Sequence, residues 1–366
     1  MSSRSRKKNR RFFFFIIVLA AAGFLIFSSA SLGLLSRDGA SYTKVVFNQL
    51  FTLLVGLVLL LIFRRWPYHY WLKVAPWLLI VASIMTLLVF VPGIGFASGG
   101  AHRWISLGSR TFQPSELLKF SLIIFLAAWL SKIRDRVTTW RSGFTPFLIF
   151  VGLVGALLIA QPDIGTFLVL LSASMAMFFV AGAKWRQLLV LGLITLIGLS
   201  LIIMFKPYVR ERVLTFFYPD KKIESSAWQI NQSLIAIGAG GPTGRGFGQS
   251  LQKFNYLPEP IGDSIFAVAS EEFGLLGGGA LVTAFTFFVI WGLRIAARAP
   301  DRFGQLLVVG FIVLMTTGAF INIASMLGLF PLTGIPLLFV SHGGSALLFS
   351  MLGAGVILNV ARESRF

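Results

Sequence analysis

The rest of the chain is organised around the stretch from Trp228 to Gly274, which reads WQINQSLIAIGAGGPTGRGFGQSLQKFNYLPEPIGDSIFAVASEEFG. It starts as an amphipathic segment, passes through six glycines between residues 238 and 248, and then re-enters an apolar segment that carries Glu271 and Glu272. No other loop of the chain is as long or places so many acids beside apolar sequence. Long loops between regular elements are usually functional, so we expect the chemistry here.

The composition around this stretch is that of a membrane protein. Of 366 residues, 56% are hydrophobic and 12% are charged, and the mean hydropathy is +0.84. Soluble domains carry about 25% charged residues. Apolar runs of 18 or more residues recur, which predicts an all-α polytopic membrane protein, because lipid leaves no water to satisfy an open backbone. The absence of cysteine excludes disulfides and thiolate metal sites.

Ten apolar runs predict about ten transmembrane helices, with a large extracytoplasmic loop at about 206–263 between spans seven and eight. The basic N-terminal segment resembles a signal peptide, but no convincing cleavage site follows it, so we interpret it as an uncleaved first span. The predicted organisation is a basic cytoplasmic N-terminus (1–11), one membrane domain (12–360) and a cytoplasmic C-terminus (361–366). The predicted spans are 12–34, 44–63, 73–93, 113–131, 143–161, 164–182, 187–205, 264–293, 303–328 and 335–360.

The basic residues predict the orientation. With both termini in the cytoplasm, 20 of the 32 Lys and Arg residues fall in inner segments, as the positive-inside rule requires. The loops at 94–112 and 206–263 are then extracytoplasmic. The net charge of +19 is therefore explained by the orientation of the chain in the membrane, and we expect no nucleic-acid partner. The 20 residues are Arg4, Arg6, Lys7, Lys8, Arg10, Arg11, Arg64, Arg65, Lys73, Lys132, Arg134, Arg136, Arg141, Lys184, Arg186, Arg294, Arg298, Arg302, Arg362 and Arg365.

Six of the 13 acidic residues lie in or beside apolar spans. An ionised group at mid-membrane costs about 2.5–3.5 kcal/mol or more, so such residues are usually functional. In the predicted topology all six lie toward the outer leaflet, which favours an enzyme at the outer surface over a carrier with acids at the midplane. They are Glu116, Asp163, Glu259, Asp263, Glu271 and Glu272.

Each acid also has a structural interpretation. Glu116 and Lys119 are three residues apart on one helix and could simply form an ion pair. Asp163 and Asp263 each precede a predicted helix and could cap it. Glu271 could bond a neighbouring helix. These alternatives stay open at the level of sequence.

Nucleotide-binding motifs are absent from the glycine-rich segment. Thr243 occupies the third glycine position of a dinucleotide fingerprint, and the Lys-Ser/Thr pair of a P-loop is missing. The three histidines are isolated in sequence, which indicates no zinc site. We find no inverted repeat of the transporter kind.

Four motifs in order along the chain resemble the SEDS family (shape, elongation, division and sporulation proteins). The third motif contains Asp263, and the second contains Asp163. The segment 248–253 is more similar to the division branch of the family than to the elongation branch. The motifs are Arg103-Trp104-Ile105 with 112–119 (FQPSELLK), 161–166 (QPDIGT), 256–274 (YLPEPIGDSIFAVASEEFG), and 331–336 (PLTGIP) with 341–345 (SHGGS).

The resemblance implies a ten-span peptidoglycan glycosyltransferase that polymerises lipid II, an undecaprenyl-diphosphate-linked disaccharide peptide. It implies a bacterial cytoplasmic membrane, a class B penicillin-binding protein as transpeptidase partner, division or elongation proteins, and membrane lipids. The family's essential acid matches Asp263, and its conserved span-six acid matches Asp163. Two positions depart from the pattern: Ile261-Gly262 replaces His-Thr, and His342 replaces Tyr.

Glycosyl transfer from a lipid diphosphate needs a base for the attacking hydroxyl and positive charge for the leaving group. We predict Asp263 as the base and a divalent cation, Mg²⁺ or Mn²⁺, as a helper for which Asp263 is one ligand. The alternatives are a lipid II flippase and a scaffold that recruits a transpeptidase. The predicted substrate-binding residues are Arg103, Trp104, Lys119, Arg245, Lys253, Tyr256 and Glu259. The predicted cavity residues are Gln113, Glu116, Asp163, Glu271, Ser341 and Ser345.

Overall fold

The computed structural model describes residues 3–36, 39–98, 101–108, 110–218 and 226–364, and it confirms the all-α polytopic fold. Short 3₁₀ turns lie at Leu32–Ser36 and Arg134–Thr138, and a π turn at Trp140–Phe144. The helices are α1 (Ser3–Ser31), α2 (Gly39–Arg65), α3 (Tyr70–Leu88), α4 (Pro114–Ile133), α5 (Thr145–Ala160), α6 (Ile164–Val180), α7 (Trp185–Phe205), α8 (Pro207–Phe217), α9 (Ser226–Gly240), α10 (Ile265–Ala296), α11 (Arg302–Met326) and α12 (Gly344–Glu363).

Helix α11 is at the centre of the bundle. It packs against α4, α6 and α10, and 72% of its most apolar 18-residue stretch is buried. Its start is fixed by Asp301, whose carboxylate accepts from Gly304 N at 2.7 Å. Helix α7 lies at the periphery, and only 6% of its most apolar 18-residue stretch is buried. The apolar side chains of α7 therefore face outward, as expected for a helix surrounded by lipid.

Eight of the described helices are long and apolar enough to cross a membrane, and α6 is a shorter apolar helix of 17 residues. The count of ten spans stays a prediction. Each of the ten predicted spans overlaps one helix, but the span at 335–360 is wrong at its start. Residues 335–343 are irregular, and α12 begins only at Gly344. Pro336, Gly343 and the left-handed backbone of Gly334 stop this apolar run from being helical.

The loop between α3 and α4 holds a small antiparallel sheet that the sequence did not predict. Its strands are β1 (Gly95–Ser98), β2 (Ala101–Leu107) and β3 (Arg110–Phe112), in the order β1-β2-β3. Ile105 of β2 lies opposite Gly95 on one side and Phe112 on the other. The central strand β2 carries Arg103 and Trp104, so the sheet fixes two predicted substrate-binding residues.

The long loop contains α8 and α9 and then a segment, residues 241–253, that interlocks with α10. Helix α10 breaks at Gly274, whose φ of 65° suits glycine. A Cβ there would lie 2.3 Å from Gly244 N. The break frees backbone groups of α10, and the 241–253 loop pairs with them. The bonds are Arg245 N to Glu271 O (3.0 Å), Gly246 N to Glu272 O (2.9 Å), Leu275 N to Gly241 O (2.8 Å) and Leu276 N to Pro242 O (3.2 Å).

Candidate active site

A polar cavity of about 370 Å³ lies between the turn at residues 258–264, strand β2, the starts of α4 and α6, and the loop before α12. Nine predicted site residues line it. A smaller, mainly apolar cavity of about 70 Å³ adjoins it, shares Glu116 and Lys119, and is lined by Ser341. The nine residues are Arg103, Trp104, Gln113, Glu116, Lys119, Asp163, Glu259, Asp263 and Ser345.

Asp263 is held by two amide side chains from different helices. Its Oδ1 accepts from Gln229 Nε2 of α9 at 3.1 Å, and its backbone carbonyl accepts from Asn322 Nδ2 of α11 at 2.7 Å. The N-cap residue of α10 is Ser264, and that cap makes no side-chain hydrogen bond. The alternative that Asp263 only caps α10 is therefore wrong.

The turn that carries Asp263 is docked on the loop between α11 and α12. Ser341 Oγ donates to Gly262 O at 2.6 Å, and His342 N donates to Ile261 O at 2.7 Å. Glu259 has a φ of 46°, in the left-handed region. Such a conformation costs about 1–3 kcal/mol and persists only where the surroundings enforce it. The docking supplies that constraint, so the turn is rigid.

The two departures from the family pattern are neighbours, because the backbones of Ile261 and His342 are hydrogen-bonded. The His342 imidazole lines the polar cavity and stacks on Phe27 with ring centroids 5.8 Å apart. An imidazole therefore lines the cavity at the position where the family motif has tyrosine.

The pKa of Asp263 is raised to about 6, from an ordinary value of 3.8. The largest cause is burial of the carboxyl group, followed by the negative charge of Glu259. The hydrogen bond from Gln229 and the positive charge of Arg212 act in the opposite direction. A carboxyl group with a pKa near neutrality suits a general base, since it is ionised at pH 7 and still takes up a proton readily.

Glu116 and Lys119 form the predicted ion pair, with Lys119 Nζ 2.8 Å from Glu116 Oε1. Both side chains are largely buried, and both line the polar cavity. Gln113, just before α4, connects this helix to α12 because its N–H donates to Ser345 Oγ at 3.1 Å. The start of α4 is therefore a fixed wall of the cavity with one positive and one negative group.

We expect Glu116→Ala and Lys119→Ala each to lower activity about tenfold or more, because each leaves a poorly solvated charge without its partner. The double variant should lose less than the two single losses combined. The measurement is polymerisation of lipid II, the reaction that the family resemblance implies, by the parent protein, the two single variants and the double variant. Strict additivity would show that the two side chains act independently.

Asp163 caps α6, as one interpretation of the sequence proposed, but only through one oxygen. Its Oδ1 accepts from Thr166 N at 3.4 Å and lies 3.9 Å from Arg103 Nη1. Its Oδ2 is buried without a hydrogen-bond partner among the described residues. Arg103 also donates to the backbone carbonyls of Gln161 and Pro162. Capping leaves one carboxylate oxygen of Asp163 available to a ligand in the cavity.

Four predicted site residues line neither the polar cavity nor the smaller apolar cavity. Glu271 bonds the 241–253 loop and not a neighbouring helix, since Ser250 Oγ (2.5 Å) and Leu251 N (3.0 Å) donate to it. Arg245 Nε lies 3.7 Å from Glu271 Oε1. Tyr256 is exposed, and its carbonyl accepts from Trp228 Nε1 at 3.0 Å.

Lys253, the fourth of these residues, is fully buried in an ionic cluster. Its Nζ contacts Glu272 Oε1 (2.7 Å), Gly248 O (2.9 Å) and Ser29 Oγ (3.2 Å). Ser29 Oγ lies 2.6 Å from the Glu272 carboxylate oxygens. The cluster joins α1, the 241–253 loop and α10, so Lys253 and Glu272 hold the loop in place.

Sequence reasoning missed several residues around Asp263. Gln229 and Asn322 are uncharged amides without any motif signal. Arg212 of α8 donates to Leu332 O at 2.9 Å, and its positive charge interacts with Asp263 and Asp163. The available signal was the position of Arg212 on a short amphipathic helix that precedes the 228–274 stretch.

The fit of a divalent cation rests on two carboxylates. Within the described part of the chain, no group of three His, Cys, Asp or Glu side chains is placed to hold a metal ion. Asp263 and Glu259 both line the cavity, and Mg²⁺ is often held by one or two carboxylates together with substrate phosphates. These two residues would hold such an ion, which would neutralise charge on a diphosphate.

The fold and the cavity define a multi-pass helical membrane protein in which four acids (Glu116, Asp163, Glu259 and Asp263) and two cations (Arg103 and Lys119) line one polar cavity. Comparisons then identify its family. A family model described as "Cell cycle protein", which groups FtsW, RodA and SpoVE, matches residues 9–366. Stage V sporulation protein E of Bacillus subtilis (strain 168) is 40% identical over 301 residues, covering 82% of this chain and 81% of the relative.

A "probable peptidoglycan glycosyltransferase FtsW" of Geobacter sp. (strain M18) is 37% identical over 343 residues, 93% of each chain. A solved structure titled "Structural coordination of polymerization and crosslinking by a peptidoglycan synthase complex" matches with a TM-score of 0.79 and 28% identity, covering 96% of this chain and 97% of that one. The chain belongs to the FtsW/RodA/SpoVE family, and the family resemblance found in its motifs is confirmed.

Proposed function

We propose that this chain is a peptidoglycan glycosyltransferase that polymerises lipid II in the polar cavity. One observation carries the assignment of the site: the Asp263 carboxylate shares the cavity with the cations Arg103 and Lys119. A base for the acceptor hydroxyl and positive charge for the leaving diphosphate are the two requirements of this reaction. The relative named a probable peptidoglycan glycosyltransferase supports the reaction class.

In the proposed step, a sugar hydroxyl attacks the anomeric carbon of a second, lipid-linked sugar. The hydroxyl proton passes to the Asp263 carboxylate as the new C–O bond forms. The bond between the anomeric carbon and the diphosphate oxygen breaks, and the lipid diphosphate leaves with both electrons. Arg103 and Lys119 stabilise the charge that moves to the leaving group. One displacement inverts the anomeric carbon, so no second carboxylate nucleophile is needed.

Other residues of the cavity would orient the sugars. Trp104 offers an aromatic face for stacking, and Glu259 offers hydrogen-bond acceptors for hydroxyl groups. The free Oδ2 of Asp163 is a further acceptor. Lys253 and Arg245 are not assigned to the diphosphate, because neither lines the polar cavity and each is paired with a glutamate of α10.

Purified protein incubated with lipid II tests the function, with glycan polymer detected on a gel. We expect polymer, and we expect chelation with EDTA to reduce it if the cation contributes. A scaffold would yield no polymer. A flippase would move lipid II across a vesicle membrane without polymerising it. Absence of polymer under all cation conditions would contradict the proposal.

A transpeptidase is the proposed partner, because the matched structure is titled as a complex that coordinates polymerization and crosslinking. The partner class expected from the family resemblance is a class B penicillin-binding protein. Co-purification of such a protein with this chain from membranes is the test. Recovery of the chain without any transpeptidase would contradict it.

We propose the bacterial cytoplasmic membrane as the location, with both termini inside and the polar cavity facing outward. The chain has no cysteine, so single-cysteine variants report orientation cleanly. Gln249→Cys, exposed in the long loop, should react with a membrane-impermeant maleimide in intact spheroplasts. Ser142→Cys, exposed between α4 and α5, should react only after lysis. The reverse pattern would invert the orientation.

We expect the polymerisation rate to fall as the pH is lowered through about 6, because the base must be ionised and the pKa of Asp263 is raised to about 6. The rate at pH 5 should be roughly tenfold below the plateau above pH 7. Glu259→Gln removes a negative neighbour and should move the midpoint to lower pH. A midpoint near 4 in the unsubstituted protein would show that Asp263 titrates as an exposed carboxyl group.

A further inference from the structure

Gln229 makes the one side-chain hydrogen bond to the Asp263 carboxylate that the described residues provide. The Nε2 group of Gln229 has two hydrogens and two acceptors: Asp263 Oδ1 at 3.1 Å and Ser264 Oγ at 2.9 Å. Both donors are therefore used, and the amide cannot rotate without losing a bond. Gln229 lies on α9, so a separate helix reaches the base across the start of α10.

This bond goes to Oδ1 and leaves Oδ2 without a side-chain hydrogen bond from the described residues. A Cβ built at Gly334 would lie 4.0 Å from Asp263 Oδ2, so this oxygen is close to Gly334. Gly334 has a φ of 70° and lines the polar cavity with Asp263. The terminal torsion of an aspartate is broad, so nothing in the residue itself fixes the plane of the carboxylate relative to the substrate.

We propose that Gln229 is a positioning residue that fixes the rotation of the Asp263 carboxylate, so that Oδ2 is the oxygen that accepts the proton. The proposal rests on the proposed role of Asp263 as base. Asn322 has a different task, since it holds the backbone of Asp263 and also donates to Ile335 O at 2.8 Å. Loss of Asn322 would loosen two loops, whereas loss of Gln229 would free one carboxylate.

A structural role for Gln229 makes different predictions. If the residue only attaches α9 to α10, its removal should lower thermal stability, and activity should fall in parallel. If it orients the base, the rate of the chemical step should fall while substrate binding and stability are kept. The kinetic constants kcat and KM for lipid II separate the two roles.

The test uses two substitutions and one matched control in the full-length protein. Gln229→Met keeps the length of the side chain and removes the donor. Gln229→Glu keeps the shape and replaces the donor by an oxygen that repels the carboxylate. Gln232→Met is the control, because Gln232 is a buried glutamine on the same helix that does not contact Asp263.

We expect kcat to fall about 10- to 100-fold in both Gln229 variants, more in Gln229→Glu, as is typical when a residue that orients an active group is removed. KM should stay within about twofold, and the melting temperature should match that of Gln232→Met. Near-normal kcat in Gln229→Met would overturn the proposal. So would a loss of kcat that only accompanies unfolding and is shared by Gln232→Met.

Asp263→Asn, measured in parallel, separates this inference from the proposed function. If Asp263→Asn is inactive and Gln229→Met is fully active, Asp263 keeps its role and the positioning role of Gln229 is wrong. If Asp263→Asn polymerises normally, the base assignment fails, and the role of Gln229 fails with it.

Discussion

Replacing Asp263 with asparagine is expected to lower polymer formation by the purified protein about 100-fold or more. Asparagine has nearly the same shape and can still accept the hydrogen bond from Gln229, but its amide cannot take up the proton of the attacking hydroxyl. The measurement is the initial rate of lipid II polymerisation. Near-normal activity would contradict the assignment of Asp263 as the base. Glu259 and Asp163 would then be the candidate bases to test.

Stability provides the control for this variant. The pKa of Asp263 is raised to about 6 in the folded protein, so the folded state holds the proton more tightly than the unfolded chain. The stability that follows from this shift is present below about pH 3.8 and is lost as the pH rises through 6. At pH 7 the ionised carboxylate therefore opposes folding. Asp263→Asn should be at least as heat-stable as the parent at pH 7, and a large loss of stability would mean that its inactivity reports misfolding.

Replacing Lys253 with methionine is expected to destabilise the protein by about 3–5 kcal/mol, because it leaves the buried Glu272 carboxylate without its cation. The side chains of Lys253 and Glu272 are 0% and 1% exposed. The apparent melting temperature in detergent should fall by about 4–6 °C. The double variant Lys253→Met/Glu272→Gln should recover most of the loss, since no unpaired charge remains.

Arg245→Met is the matched control for Lys253→Met. Arg245 also pairs with a glutamate of α10, but it is 38% exposed and 3.7 Å from its partner, so its removal should cost less than about 1 kcal/mol. If Lys253→Met instead keeps its stability and loses activity, the result would favour the prediction from the sequence that Lys253 binds the substrate.

The gathering of acids in one cavity could be predicted from the sequence. Glu116, Asp163 and Asp263 each lie where a predicted span meets the same side of the membrane, and the expense of burying an acid is a strong local signal. Helix ends on one side of a bundle lie close together. The predicted order and orientation of the spans was therefore enough to predict that these residues are neighbours. The ion pair of Glu116 and Lys119 was also predictable, because a spacing of three residues places both on one helix face.

The partners of the loop residues could not be predicted. Lys253 and Glu272 are 19 residues apart, and their pairing depends on the path of the 241–253 loop. The path of the loop depends on the break of α10 at Gly274. A single glycine within an apolar run does not by itself predict a break in a helix. Without the path, a cation beside the site residues looks like a ligand for the substrate.

Short strands and irregular apolar segments were the other failures. Strands β1 and β3 have four and three residues, too few for an alternating pattern to appear. Residues 335–343 are apolar enough to read as part of a span, although their backbone is irregular. Hydropathy reports burial, and here the buried segment forms a wall of the cavity.

The interlock between the 241–253 loop and α10 sets an order for the biosynthesis of this protein. The carbonyl groups of Glu271 and Glu272, which pair with the loop amides, are translated after the loop itself. Until α10 has been synthesised, Lys253 lacks its partner Glu272, and the amide groups of the loop that later bond α10 are hydrogen-bonded to water. The final arrangement of the loop also needs Ser29 of α1, so α1 and α10, which are far apart in sequence, must meet before the loop reaches it. A nascent chain that stops before residue 271 therefore contains Asp263 and the whole loop, but none of the contacts to α10 that fix the loop.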